Sequence, residues 1–166
     1  RLDVLVNNAA NALTQPVGQF TVDAYTKSFD VNVRGPVFLS QAALPHLIAS
    51  GHGSILNIVS AGAYLFSGDV SMYSAGKAAM VSFTKSFAAA LAPQGVRVNA
   101  MAPGPVDTDM VRNNPPEFVD ILARSTLLGR VADPDEMVGT ALLLTSDAGS
   151  YLTGQVIGVD GGLVPR

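Results

Sequence analysis

No cysteine occurs among the 166 residues, so neither a disulfide framework nor thiolate chemistry is open to this chain, an absence compatible with the cytoplasm. Charge is scarce as well. Charged residues make up 14% of the sequence and sum to a net −3, which leaves no general electrostatic pull towards nucleic acid or an anionic membrane surface. No uninterrupted apolar run approaches the ~18 residues of a membrane span, and no signal-peptide pattern is present. An initiator methionine is missing too. Arg1-Leu2-Asp3 leads straight into Val4-Leu5-Val6, a strand already under way, which predicts a natural polypeptide that begins upstream. What fills the chain is apolar, 48% hydrophobic, and this length and content predict one domain with a heavily buried core.

Strand and helix patterns alternate along it. Residues 2–6 read as a short strand covered on both faces. In Asn7-Asn8-Ala9-Ala10, the amides can pin neighbouring strands and the small residues let a ligand approach, unless this is an ordinary Asn-rich turn. Thr21 caps a helical region running to about residue 49, with Pro36 inside it. Pro36 has no N–H, which predicts a kink and an unbonded main-chain carbonyl at Asn32, suited to an ordered water; a simple bend with Asn32 in solvent is the alternative. Residues 54–59 form the next strand. Asp69 or Ser71 caps the helix Ser71–Leu91, in which Gly76 costs about 1 kcal/mol relative to alanine, tolerable where something packs closely on it. Residues 96–101 are a strand in which Arg97 and Asn99 alternate with Val96, Val98 and Ala100. Regular structure then breaks at 102–108, and residues 117–123 suggest a short lid helix. Asp133, Pro134 and Glu136 open a helix to Thr145. Residues 155–159 are the last strand, ended by Asp160-Gly161-Gly162. The lone His52 reads as a surface turn residue. This alternation argues for an open parallel α/β sheet, whose ligands sit beyond the carboxyl ends of the strands. Asn7-Asn8, Ser60 and Pro103-Gly104 all fall on that edge.

Chemistry concentrates between Ser60 and Lys77. Tyr73 and Lys77 are four residues apart on one helix, so phenol and ammonium share a face. A cation beside a phenol favours phenolate and predicts a lowered pKa for Tyr73, fitting it for general acid–base work near neutral pH. Ser60, at the mouth of a strand, is placed to hydrogen-bond a substrate oxygen. An amphipathic Tyr–Lys contact with a snorkelling lysine, and a serine that only turns the chain, are the plainer readings of the same residues.

Taken together, these residues resemble the short-chain dehydrogenases/reductases. The resemblance rests on Asn7-Asn8-Ala9-Ala10 after a strand, Asn32 in the following helix, Ser60 after the next strand, Tyr73 thirteen residues on and Lys77 four later, then Pro103-Gly104-Pro105-Val106-Asp107-Thr108 and Asp160-Gly161-Gly162. It covers the whole chain. It implies a Rossmann-type, doubly wound parallel sheet and hydride transfer between NAD or NADP and a secondary alcohol or ketone. Tyr73 would be the general acid/base, Ser60 would polarise the reacting oxygen, and Lys77 would tune the phenol and bind the nicotinamide ribose. Asn32 would hold a relay water on its main-chain carbonyl. Asn7, Ala9 and Ala10 would line the adenosine side, and Pro103, Gly104, Val106 and Thr108 the nicotinamide side. No metal is implied.

Two departures stand out. Ala10 replaces the glycine that ends the family's Asn-Asn-Ala-Gly motif, and nothing here matches its strand, Gly-x-x-x-Gly-x-Gly, helix opening. The chain therefore looks like the C-terminal two-thirds of such a domain, truncated on its N-terminal side, without the residues that choose NAD over NADP. Tyr64, Leu65, Phe66 and Met110 would line the substrate pocket. The tail residues 161–165 lean towards 3-oxoacyl reductase-like or sugar, steroid and alcohol dehydrogenase-like substrates. A homodimer or homotetramer is expected, through the helices 21–49 and 71–91. The rival readings are a non-catalytic assembly module using those helices for subunit packing, and an isomerase or dehydratase on the same fold.

Overall fold

The computed structural model describes residues 1–65, 68 and 70–164. Four strands, β1 (Val4–Asn7), β2 (Ser54–Ile58), β3 (Arg97–Pro103) and β4 (Val156–Val159), form one parallel sheet in the order β1-β2-β3-β4. Parallel strands need long crossovers, and helices supply them. α1 (Val22–Phe29), a π-helical turn (Asp30–Arg34) and α2 (Gly35–Ser50) join β1 to β2, and α3 (Ser71–Leu91) joins β2 to β3. The return to β4 carries α4 (Asp109–Arg112), α5 (Pro116–Arg124) and α6 (Val138–Thr145). No helix among the described residues is long and apolar enough to cross a membrane.

Helices cover both faces, because the strands are apolar on both. Ile55 and Val98 pack with Ala43 and Leu47 of α2 and Ala88 and Leu91 of α3. On the other face Leu56 and Met101 meet Leu144 of α6. Arg97 and Asn99, which break the apolar run of β3, bind main-chain oxygens there. The Arg97 guanidinium donates to the carbonyls of Leu144 (3.0 Å), Leu152 (3.1 Å) and Ser146 (3.1 Å), and the Asn99 amide to that of Leu152 (2.8 Å).

Several expectations need correction. The first strand is covered on one face only: Leu2 and Leu5 pack on the α2–α3 core, while Val4 and Val6 are 36% and 48% exposed. No described residue packs over that second face closely enough to bury them. Pro36 lies, as expected, inside one continuous helical stretch from Val22 to Ser50, but the stretch is not α-helical throughout: a π-helical turn, Asp30–Arg34, stands directly before α2. A second proline, Pro45, lies further along α2. Ser71 does not cap α3: it is the first helical residue, with Val70 at the cap position and no side-chain cap. Asp69, the other candidate, falls outside the described residues. β3 runs on to Pro103, two residues past its expected end. The caps at Thr21, accepting from the N–H of Ala24, and at Asp133, in a capping box with Glu136, form as expected.

Candidate active site

β2 ends at Ile58, and the chain turns at Ser60 into a short 3₁₀ turn, Ala61–Ala63. Ser60 has extended backbone, and its Oγ accepts the N–H of Gly62 at 3.0 Å, which fixes the rotamer. With that lone pair engaged, the hydroxyl hydrogen is free to turn towards Tyr73, and the Ser60 side chain pulls the phenol's pKa down. Gly62 keeps the corner tight, since a methyl group there would stand 3.3 Å from Ser60 Oγ and 3.8 Å from Tyr73 Cε1.

Tyr73 and Lys77 project from the same face of α3. The Lys77 ammonium lies 5.6 Å from the Tyr73 ring centroid and donates to the carbonyl of Ile58 at 2.9 Å. Lys77 is 3% exposed, and burial lowers its pKa from 10.5 to about 8. Burial pushes the Tyr73 phenol up, with the hydrogen bond from Ser60 pulling the other way. This reverses the direction expected from the sequence. The ammonium lies over the ring and donates to the strand end, and it is desolvation of the phenol by burial that raises its pKa.

Asn32 lies in the π-helical turn, 1% exposed, so the solvent-facing alternative is wrong. Its carboxamide exchanges hydrogen bonds with the main chain of Asn11, Asn11 N–H to Asn32 Oδ1 at 3.3 Å and Asn32 Nδ2 to Asn11 O at 3.0 Å. The turn rests against α3 at Gly76. A Cβ on Gly76 would come within 3.2 Å of Asn32 Cβ, which is the close packing that makes a mid-helix glycine worth its cost.

Asn7 pins strands and helix together as its pairing with β2 suggests. Its Nδ2 donates to Asn57 Oδ1 at 2.8 Å and Ser40 Oγ at 3.0 Å, and Asn57 Nδ2 continues to Thr84 Oγ1 at 2.9 Å. Ser40, Asn57 and Thr84 were not foreseen, although a lone asparagine inside Ile55-Leu56-Asn57-Ile58-Val59 was a signal that this position had a buried partner. Asn8 and Ala9 are exposed and Ala10 half-buried beyond the end of β1.

On the far side, Gly104 packs directly on Asp160, whose Cα an added Cβ would meet at 2.7 Å. Glycine here therefore serves contact between the ends of β3 and β4. Val106 bridges to Ala132, and the paired bonds Asp107 N–H to Ala132 O and Ala132 N–H to Pro105 O, both 2.9 Å, staple the base of the segment carrying α4 and α5. Thr108 heads α4, exposed, its hydroxyl donating to the carbonyl of Val106 at 3.3 Å. Tyr64 and Leu65, after the Ser60 turn, and Met110 on α4 are all exposed; Phe66 lies outside the described residues. A cavity of about 90 Å³ lined by Pro105, Thr126, Arg130, Glu136 and Asp160 shares no residue with the Ser60–Tyr73–Lys77 group. Among the described residues no cluster suited to a metal ion occurs.

A parallel sheet with a serine, a tyrosine and a lysine gathered at the carboxyl end of an inner strand is the arrangement that the sequence resemblance implies. The comparisons agree. The family model described as enoyl-(acyl carrier protein) reductase matches residues 1–164. A 3-oxoacyl-[acyl-carrier-protein] reductase of Thermotoga maritima is 38% identical over 99% of this chain and 67% of its own length, and a galactitol 2-dehydrogenase of Agrobacterium fabrum is 36% identical over 97% and 68%. A gluconate 5-dehydrogenase of Burkholderia cenocepacia, solved with NADP and tartrate, superposes with a TM-score of 0.93 at 36% identity, covering 98% of this chain and 64% of that one. The chain belongs to the short-chain dehydrogenase/reductase family. It spans about two thirds of the length of these relatives.

Proposed function

We propose that this chain supplies the catalytic side of a single Rossmann-type domain that interconverts a secondary alcohol and a ketone with NAD or NADP. The observation that carries the reading is the gathering of the Ser60 hydroxyl and the Tyr73 ring around Gly62, with a buried ammonium one helical turn away.

The residues present fit the nicotinamide half of such a cofactor. Lys77 carries three N–H bonds, of which one goes to Ile58, and a buried cation is suited to a ribose hydroxyl. The glycine of Pro103-Gly104 is engaged with Asp160, so any cofactor contact on that side falls to Val106 and Thr108 and to the main chain. Once bound, the dinucleotide supplies or takes up the hydride. Ser60 then donates to the substrate oxygen, and Tyr73 Oη gives that oxygen its proton in reduction or removes it in oxidation. A phenol that burial keeps protonated can give its proton to the substrate oxygen in reduction. Asn32 holds, through its main-chain carbonyl, the water that returns the proton by way of Lys77. Pro36, which has no N–H to offer that carbonyl, supports this assignment. The substrate is a small alcohol or carbonyl compound of the acyl-thioester or polyol kind that the relatives' names describe.

The test is Tyr73→Phe in the full-length protein. Turnover falls by about a thousandfold, the range of a lost general acid, while NADPH binding measured by fluorescence stays within about twofold. Unchanged turnover would overturn the assignment. Intact cofactor binding with no turnover by the parent on any carbonyl substrate would favour the assembly reading.

A further inference from the structure

Only the main chain of Asn11 has entered the site so far, yet its side chain joins two elements that decide where Asn32 stands. Its Nδ2 donates to the carbonyl of Lys27 in the last turn of α1 at 3.2 Å, and its Oδ1 accepts from Asn32 Nδ2 at 3.2 Å and from the N–H of Leu13 at 3.4 Å. Lys27 lies just ahead of the π-helical turn and Asn32 inside it. A π turn sets the hydrogen-bond ladder one residue out of step with the helix on either side, so its register is a weak point that outside contacts must hold. Here they come from opposite directions: Asn11 grips the turn from the loop after β1, and Gly76 of α3 leaves 3.2 Å between its notional Cβ and Asn32 Cβ. Ser28 Oγ, one turn before Asn32, accepts from the same amide at 3.4 Å.

We propose that the Asn11 side chain is a positioning residue that clamps the junction of α1 and the π-helical turn, and thereby fixes the Asn32 main chain relative to Lys77. The inference rests on the role proposed above for Asn32. It concerns the Asn11 carboxamide alone, because the main-chain bonds between Asn11 and Asn32 survive any substitution of that side chain. Without the carboxamide the turn keeps the two main-chain tethers to Asn32 but loses the Oδ1 bond to Asn32 and the one to Lys27, and the register is free to drift. A drift of about 1 Å at a group that aligns a proton path costs up to a hundredfold in rate.

The experiment compares Asn11→Ala, Asn11→Gln, Asn32→Ala and the double alanine variant in the full-length protein. Asn11→Ala lowers kcat about tenfold with both KM values within about twofold, and Asn11→Gln, which carries the same carboxamide, recovers most of the loss. On the Asn32→Ala background the Asn11 substitution adds less than about twofold, because loss of the Asn32 carboxamide has already cut three of the bonds that hold the turn to Asn11. Hydrogen exchange of the Asn32 side-chain amide, followed by NMR, speeds up about tenfold in Asn11→Ala, a readout that needs no turnover. Unchanged exchange, or kinetic losses that multiply in full on the Asn32→Ala background, would overturn the clamp. A parent protein with no turnover sinks the proposed function instead, and the amide exchange still decides the clamp.

Discussion

Lys77 shows what a single buried cation costs and what it supplies. Its pKa of about 8 in the fold, against 10.5 in an unfolded chain, means that the unfolded state binds more protons between those two values. Stability therefore rises with pH across that window. Below pH 8 the full penalty applies, on the order of 3 kcal/mol; above 10.5 it is gone. Lys77→Met is accordingly expected to melt at a higher temperature than the parent at pH 7, with the gap closing as pH rises from 8 to 10.5. A gap that does not change with pH would mean that the lysine is not desolvated as described. The same proton limits the chemistry. Carbonyl reduction, read as kcat/KM, declines as pH rises through about 8, where the ammonium that orients the site is lost.

Between elements, the contact of α3 with the π-helical turn sets two effects of opposite sign against each other. Gly76→Ala gains about 1 kcal/mol of helix propensity. It also places a methyl 3.2 Å from Asn32 Cβ, and overpacking of a tight contact costs about 1–3 kcal/mol. Asn32 cannot retreat easily, being tied to Asn11 and Ser28. The clash wins, and the melting temperature falls; a rise on substitution would show that the turn yields. How much of this was legible follows from what each pattern encodes. The helix Ser71–Leu91 was read to the residue, because a long run of helix formers between Ser71 and Gly95 leaves little freedom. The π turn was not, since it differs from an α-helix by one slipped hydrogen bond and leaves the apolar spacing almost intact. Pro36 marked the neighbourhood of that slip but not its kind. Side-chain chemistry was legible as grouping and not as balance. Spacing brought Ser60, Tyr73 and Lys77 together, but how deeply the fold buries the phenol, which decides the direction of its shift, is not carried by spacing.

At the level of the whole molecule, the sheet is finished unequally. Its interior strands are sealed by α2 and α3 on one side and by α6 on the other, whereas β1 pairs only with β2 among the described residues and leaves Val4 and Val6 open on one face. Open edges with apolar side chains recruit further strands, and natural sheets guard against this with charge or cover. β1 carries neither. About a third of the length of each of these relatives lies outside the part that this chain matches. The 166-residue chain on its own is therefore expected to self-associate in sedimentation velocity, and Val6→Lys to reduce that association by charging the open face. The same substitution in the full-length protein should lower the melting temperature, because a lysine would then have to fit where a valine is covered. Opposite effects of one substitution in the two forms would show that this face of β1 is covered in the longer one. A Val6→Lys variant that leaves self-association of the short chain untouched would mean that its contacts form through another surface, with the exposed Val22, Tyr25 and Phe38 on α1 and α2 as the next to substitute.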